Sequence, residues 1–216
     1  MRVPNGMIGI LGGTFDPVHF GHLRPALEVY EALALEELRL VPCHIPPHRP
    51  QPHASADRRV AMLEAAVGRH PAFRIDTREL QRNGPSYTFD TLTSLRAELG
   101  ETGLCLLLGM DAFRDLPTWH RWRELIGLGH LVVMTRPGAH VPAHGELAGF
   151  IRRHRVRNAD DLRRRPAGLL LFQPVTSLAI SATRLRGLLA AGRDPAFLLP
   201  DAVIEIINRE GLYRGG

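Results

Sequence analysis

Two histidines three residues apart, His19 and His22, close the stretch Leu11-Gly-Gly-Thr-Phe-Asp-Pro-Val-His-Phe-Gly-His22, just after a short apolar run that begins at Met7. Imidazoles so placed have three chemical uses: contact with a phosphate, ligation of a metal, or packing in a structural turn. At i,i+3 on a helix start they face the same way, beside the free N–H groups and positive dipole end that suit an anion. The metal reading lacks the acidic or third ligand that accompanies histidines in H-E-x-x-H. Phosphate contact is therefore favoured. Gly12-Gly13 allows a sharp turn and close approach of backbone to ligand, and Asp16-Pro17 fits a turn. Pro25 suits only a first helical turn, where its missing N–H has no intrahelical role. That places the helix start close to His22, with Leu23, Leu27 and Tyr30 on one face.

A second cluster stands near the other end, Ile180-Ser-Ala-Thr-Arg-Leu-Arg186. Ser181 is a good N-cap for the apolar helix that follows. Thr183 and Arg186 lie within its first turn and a half, so hydroxyls, N–H groups and a guanidinium converge on one helix start. Alone this reads as a capped surface helix; beside the first stretch it reads as a second phosphate clamp. In the middle, "PSYT" (Pro85–Thr88) begins a helix at Thr88 with Ser86 as its expected cap, leaving backbone N–H groups unpaired. The Trp119 face suits stacking on a flat heteroaromatic ring, with a cation–π contribution if that ring is a pyridinium; packing in the core is the alternative. His120 follows it. Asp111 falls at the end of an apolar strand, where a ribose hydroxyl could donate to it. His48 and Arg49, in a proline-rich loop, could reach a substrate phosphate or fold over the site.

The elements that must position these residues alternate along the chain. Met7–Leu11, Leu38–Val41, Phe73–Ile75, Leu104–Leu108, Leu131–Met134 and Leu169–Phe172 read as buried strands. Leu23–Leu35, Ala56–Val67 and Thr88–Leu99 read as helices. Alternation of this kind predicts an α/β fold: a Rossmann-like open parallel sheet with helices on both faces and right-handed crossovers, followed by a helical C-terminal portion. Ligands in such sheets bind beyond the carboxyl ends of the strands. Pro42–Pro52, with five prolines, must be an extended loop. Arg136 to Gly168 is the least regular section, and its run Arg152–Arg165 carries seven arginines, read as a solvated surface helix and loop.

Composition narrows the function classes. The 216 residues, 44% hydrophobic, suit one compact domain. Two cysteines, Cys43 and Cys105, give no disulfide framework. With no apolar run of membrane-spanning length and no leader pattern at Met1–Gly6, a cytoplasmic protein that does not enter a membrane is expected. The formal charge is +5, and all 27 basic residues are arginine. Without lysine there is no P-loop, no Schiff base and no lysyl-adenylate. A Rossmann dehydrogenase fits poorly, because Gly9, Gly12 and Gly13 do not space as G-x-G-x-x-G and the second strand ends in Val41-Pro42 rather than an acidic ribose ligand.

H-x-G-H after "GGTFDP", together with I-S-x-T-x-x-R, resembles the nucleotidylyltransferase superfamily. Within it the sequence is similar to the bacterial nicotinate-nucleotide adenylyltransferases, nearly end to end: "GGTFDPVHFGHL", "PPHRPQP", "RELQRNGPSYTFDTL", "LLLGMDAFRDLPTWHRW", "HLVVMTRPG", "ISATRLR" and "LLPDAVIEIINREGLY". Cys43-His44 departs from the relatives, which often carry Asn or another small polar residue before P-P-H. The resemblance implies a single nucleotidylyltransferase domain over residues 1–216, with a variable arginine-rich segment at about 138–168, that joins ATP and nicotinate mononucleotide in NAD biosynthesis. It assigns His22, His19 and Arg186 to catalysis. Gly12, Gly13, Thr14, Phe15, Ser181 and Thr183 join those three around ATP, and Thr88, Trp119, His120, Asp111, His48 and Arg49 surround the nicotinate mononucleotide. Mg²⁺ is expected with the ATP, held by few protein ligands. The implied partners are small molecules rather than nucleic acid, and an oligomer is compatible with the sequence. Two rival readings are another small-substrate nucleotidylyltransferase and a non-catalytic arginine-rich nucleic-acid binder; the paired clamps speak against the latter. An aminoacyl-tRNA synthetase would need a K-M-S-K-S loop, which a chain without lysine cannot supply.

Overall fold

A computed structural model describes residues 6–47, 50–136, 138–176 and 178–214. His48 and Arg49 lie outside these residues. Seven strands form one parallel sheet: β1 (Met7–Gly13), β2 (Glu37–Pro42), β3 (Phe73–Ile75), β4 (Gly103–Gly109), β5 (His130–Thr135), β6 (Arg155–Val156) and β7 (Leu170–Pro174), in the order β3-β2-β1-β4-β5-β7-β6. Eight helices accompany them: α1 (Phe20–Ala32), α2 (Ala56–Val67), α3 (Thr88–Leu99), α4 (Met110–Arg114), α5 (Trp122–Leu128), α6 (Gly145–His154), α7 (Ala182–Ala190) and α8 (Asp201–Glu210). Among the described residues no helix is long and apolar enough to cross a membrane.

Successive strand residues point to opposite faces, and the sequence supplies apolar residues to both. Met7, Leu11, Leu38, Leu40, Cys105, Leu107 and Val132 pack on one face with residues of α1, α2, α7 and α8. Ile8, Ile10, Val41, Leu104, Leu106, Leu108, Leu131 and Val133 pack on the other with residues of α3, α5 and α6. Burial on both faces is why these strands read as continuous apolar runs instead of alternating ones. The strand order reverses direction between β1 and β4, so the connections leaving their carboxyl ends diverge and open a crevice there.

Several local expectations are corrected. Gly12 and Gly13 do not make the turn: they remain in β1, paired in register with Val41 and Pro42. The chain turns instead at Phe15, with φ 50, and at a cis Asp16-Pro17 bond. Helix α1 begins at Phe20, with His19 as its N-cap. Pro25 therefore falls in the second turn, not the first. It is accommodated because Gly21, whose carbonyl loses its i+4 partner, lines an open crevice together with Pro25. The buried face of α1 is Leu23, Pro25, Ala26 and Val29, while Leu27 and Tyr30 are half-buried; the small Ala26 lies at the sheet, displacing the stripe expected from large residues alone. Tyr87, not Ser86, is the N-cap of α3, because the Ser86 hydroxyl accepts from His44 N–H at 2.9 Å.

The arginine-rich run is more regular than its composition implies. It holds the end of α6, strand β6 and a 3-10 turn over Ala159–Arg164. Its backbone is pinned to the sheet and to neighbouring helices. His130 Nε2–H donates to the Arg165 carbonyl at 2.9 Å, and Arg96 donates to the Pro166 carbonyl at 3.0 Å. The Arg163 side chain donates to the Leu33 carbonyl, just beyond α1, at 2.5 Å.

Candidate active site

The turn after β1 carries His19 to the N-terminal end of α1. There the Phe20 N–H donates to the Leu198 carbonyl at 3.1 Å and His22 N–H to the His19 carbonyl at 2.8 Å. The His19 and His22 rings stack with centroids 3.7 Å apart and planes 23° from parallel. The Phe15 ring meets His22 edge-on at 5.2 Å and is itself only 1% exposed. Phe15 thus braces His22, and the residue as a whole is buried rather than open to a ligand. His19 is 4% exposed, and burial pushes its imidazole down from 6.5 to about 4. Its Nδ1 is buried without a hydrogen-bond partner, so this ring stands neutral at pH 7 with polar capacity in reserve.

The late cluster arrives at the same place. Ser181 caps α7, its hydroxyl accepting from Arg184 N–H at 3.3 Å. Arg186 Nη1 donates to the Asp16 carbonyl at 2.7 Å, across 170 residues of sequence, and its Nη2 reaches the Thr183 hydroxyl at 3.4 Å. The Ile180 carbonyl packs against Gly21, where an added Cβ would stand 3.2 Å from it and 2.9 Å from His19 Nδ1. Two motifs from opposite ends of the chain therefore share one corner, lined by two imidazoles, a guanidinium, hydroxyls and two helix starts. Such a set complements a polyanion.

Next to this corner, at the reversal of strand order, lies a crevice of about 460 Å³ lined by Gly21 and Pro25 of α1, Gly109 at the end of β4 with Met110, Asp111 and Arg114 of α4, and Thr135 at the end of β5 with Arg136, among others. Asp111, its side chain 89% exposed, pairs with Arg114 at 3.3 Å. The structure thus groups Asp111 with the α1 side of the site. A second group forms around the start of α3. The Tyr87 and His120 rings lie 4.4 Å apart and Phe89 meets His120 edge-on at 6.3 Å. Arg121 sits over the Phe89 ring at 3.6 Å. Trp119 ends a 3-10 turn (Leu116–Thr118) and is half-buried against the core. His120 thus lies against Tyr87 and Phe89, the two residues that flank Thr88, and Trp119 precedes it in the chain.

Three residues that the sequence reading did not assign hold these parts together. Asp16, read only as a turn residue, accepts from His53 N–H (2.7 Å), Ala54 N–H (3.1 Å) and the Tyr213 hydroxyl (2.7 Å). Arg59, 1% exposed, donates from Nη1 to the Thr14 carbonyl at 2.8 Å, while its Nε is buried without a hydrogen-bond partner. Burial pushes the Arg59 guanidinium down, offset by the charges of Cys43 and Asp16 and by Tyr213. A signal for Arg59 existed: it shares the apolar face of α2 with Met62 and Leu63, at i,i+3 and i+4. Tyr213, in the turn after α8, carried none.

Residues 10–188, which hold most of this parallel sheet and both motifs at its carboxyl edge, match the family model described as cytidylyltransferase-like, and this places the chain among nucleotide-handling α/β proteins. Within that family the chain belongs with the nicotinate-nucleotide adenylyltransferases. A protein of Methylococcus capsulatus named probable nicotinate-nucleotide adenylyltransferase is 52% identical over 208 residues, 96% of this chain and 99% of that one. Proteins of the same name from Aeromonas hydrophila (51%, covering 96% and 97%) and Halorhodospira halophila (51%, covering 99% and 98%) agree. The fold is that of nicotinic acid mononucleotide adenylyltransferase of Plasmodium falciparum complexed with NaAD: TM-score 0.74 at 16% identity, covering 97% of this chain and 98% of that one. The same protein complexed with APC gives 0.71.

Proposed function

We propose that this protein transfers the adenylyl group of ATP to nicotinate mononucleotide, giving deamido-NAD and pyrophosphate. The observation that carries the chemistry is the meeting of the two clamps through Arg186 and the Asp16 carbonyl. The near full-length similarity to enzymes of that name supports the choice of substrates.

A phosphate oxygen of the mononucleotide attacks the α-phosphorus of ATP. One P–O bond forms there, the bond to the β-phosphate oxygen breaks, and pyrophosphate leaves with that electron pair. The nucleophile is already an anion, so no covalent enzyme intermediate and no strong base is required. The enzyme aligns two anions and stabilises charge at the α-phosphorus. In this reading His22 and His19 face the reacting phosphate, with Gly12, Gly13 and Thr14 close to the ligand. Arg186, Ser181 and Thr183 hold the departing phosphates. Thr88, Trp119 and His120 take the nicotinate, and Asp111 takes a ribose hydroxyl from the crevice.

Mg²⁺ accompanies the triphosphate in this reading. No group of three or more His, Cys, Asp or Glu suited to a metal occurs among the described residues, and the Asp16 carboxylate is occupied by three donors. The ion would therefore be held mainly by phosphate oxygens and water, offsetting charge on the triphosphate.

The test follows pyrophosphate release with ATP and a panel of phosphorylated co-substrates, including the acid and the amide mononucleotides. A carboxylate only accepts hydrogen bonds, so it suits paired N–H donors near Thr88 and His120. A carboxamide leaves one donor unmatched, at about 1–3 kcal/mol or more. We expect kcat/KM to favour the acid by on the order of 10²-fold. Equal efficiency would remove the nicotinate assignment and leave adenylyl transfer standing.

A further inference from the structure

The carboxylate of Asp16 is 5% exposed and interacts with two cations, Arg186 and Arg59. Arg186 Nη1 is 3.8 Å from Oδ2 while donating to the Asp16 carbonyl at 2.7 Å. Arg59, the other cation facing it, commits Nη1 to the Thr14 carbonyl at 2.8 Å. The Asp16 carboxylate is met by a set of neutral donors. His53 N–H donates to Oδ2, Ala54 N–H and the Tyr213 hydroxyl donate to Oδ1, and the exposed His53 ring stands 3.4 Å from Oδ2. Only the Tyr213 donor comes from a side-chain hydroxyl, in the turn after α8, far in sequence from both clamps.

We propose that Tyr213 is a positioning residue for Arg186. By satisfying Asp16 Oδ1, it holds the carboxylate in place and leaves the guanidinium directed to the β- and γ-phosphates of ATP. Without the hydroxyl, the buried carboxylate loses one of its three hydrogen bonds, and Arg186, partly exposed and already 3.8 Å from Oδ2, is the cation with room to move toward it, whereas Arg59 is buried and held on the Thr14 carbonyl. The guanidinium then closes from 3.8 Å into a charge-assisted pair with Asp16 and turns away from the phosphates. The last turn of the chain is in this way part of the ATP site, although it touches no substrate. This inference rests on the assignment of Arg186 to the triphosphate.

The test is a pair of double-mutant cycles with Tyr213→Phe, which removes one oxygen and keeps the ring packing. Tyr213→Phe should raise KM for ATP roughly tenfold, the scale of a hydrogen bond to a charged group, and lower kcat in the same direction as Arg186→Ala, with the KM for nicotinate mononucleotide within about twofold. In the Arg186→Ala background, and separately in Asp16→Asn, where the pull on Arg186 is gone, the same change should leave the ATP KM where the single variant set it. A merely structural tyrosine would lower the melting temperature and affect both substrates alike, or add the same factor in every background; either result overturns the proposal. Should Arg186→Ala itself leave ATP binding untouched, the assignment of Arg186 falls and this inference with it. If Arg186→Ala weakens ATP but Tyr213→Phe is silent or additive, only the role of Tyr213 is lost.

Discussion

His19 and His22 stack at 3.7 Å yet sit in different surroundings, and their expected contributions differ accordingly. His22 is half-buried at the open end of the turn, and Phe15 braces it. His22→Ala should lower kcat by about 10²–10³, the loss typical of one preorganised charge-stabilising donor, while KM moves little; single-turnover rates at saturating ATP measure this directly. A rise in KM alone would mean that His22 supplies uniform binding instead. His19 titrates far below its ordinary value because it is buried. The unfolded chain takes up a proton near 6.5 that the folded chain refuses until about 4. The stability tied to His19 is complete above that upper value and is lost as the pH falls through the window between the two. The gap corresponds to about 3 kcal/mol. His130 works in the same direction: it accepts from Leu169 N–H at 3.2 Å while donating from Nε2, which only the neutral ring can do, and burial lowers it as well. Denaturant unfolding at pH 7 and near pH 4 should show His19→Asn losing clearly less stability on acidification than the parent protein. Equal losses would mean that His19 is not the group responsible.

The elements most legible in the sequence were those with one physical cause. Strands β1, β4 and β5 are near-continuous buried apolar runs and are the plainest to read, β2, β3 and β7 show shorter apolar stretches, and α2 and α3 follow a 3.6-residue period. Strand β6 is two residues long on the sheet edge, amid charges, and had no pattern to show. Pro25 as a first-turn residue puts the start of α1 near His22, whereas the helix starts at Phe20 and the crevice beside Pro25 tolerates the interruption. The glycines of this first βα unit separate fold from function in an experiment. A Cβ at Gly12 would meet nothing within 4 Å, so Gly12→Ala should melt like the parent protein. It should nonetheless lose about tenfold or more in kcat/KM, because the methyl occupies the space of a ligand that approaches the backbone. A Cβ at Gly21 would crowd His19 and the Ile180 carbonyl. The resulting strain of roughly 1–3 kcal/mol exceeds the helix-propensity gain of up to about 1 kcal/mol. Gly21→Ala should therefore lose both stability and activity. If Gly12→Ala keeps full activity, no ligand lies against β1.

Across the whole molecule, the motifs located the site, but the scaffold behind it was hidden in single residues of ordinary appearance. Only its spacing from Met62 and Leu63 separates Arg59 from its exposed neighbour Arg58, and nothing in the sequence separates Arg96 from Arg152; there the structure alone makes the distinction. The absence of lysine fits a composition bias in which most arginines are interchangeable with lysine, and the structure identifies where that should fail. Arg96, which burial pushes below its ordinary value, donates to the carbonyls of Gly100 (2.5 Å), Thr102 (2.7 Å), Leu128 (2.7 Å from Nη2) and Pro166 (3.0 Å). It thereby ties the ends of α3 and α5 to the segment after the arginine-rich run. A lysine ammonium is a compact point charge with three donors and cannot span four carbonyls set around a planar fork. Three of these bonds are part-buried, and each carbonyl left unpaired there costs on the order of 1 kcal/mol, so Arg96→Lys should destabilise the protein by about 2–3 kcal/mol. Arg152, exposed near the end of α6, should accept lysine within about 0.5 kcal/mol, as surface changes generally do. Both variants should keep the parent kcat, since neither side chain reaches the carboxyl edge of the sheet where the clamps meet. Urea unfolding of the two single variants, with the turnover rate measured on each, decides the matter. If Arg96→Lys unfolds at the same denaturant concentration as Arg152→Lys, the guanidinium geometry at Arg96 does not contribute to stability, and the bias in composition would extend even to the buried arginines.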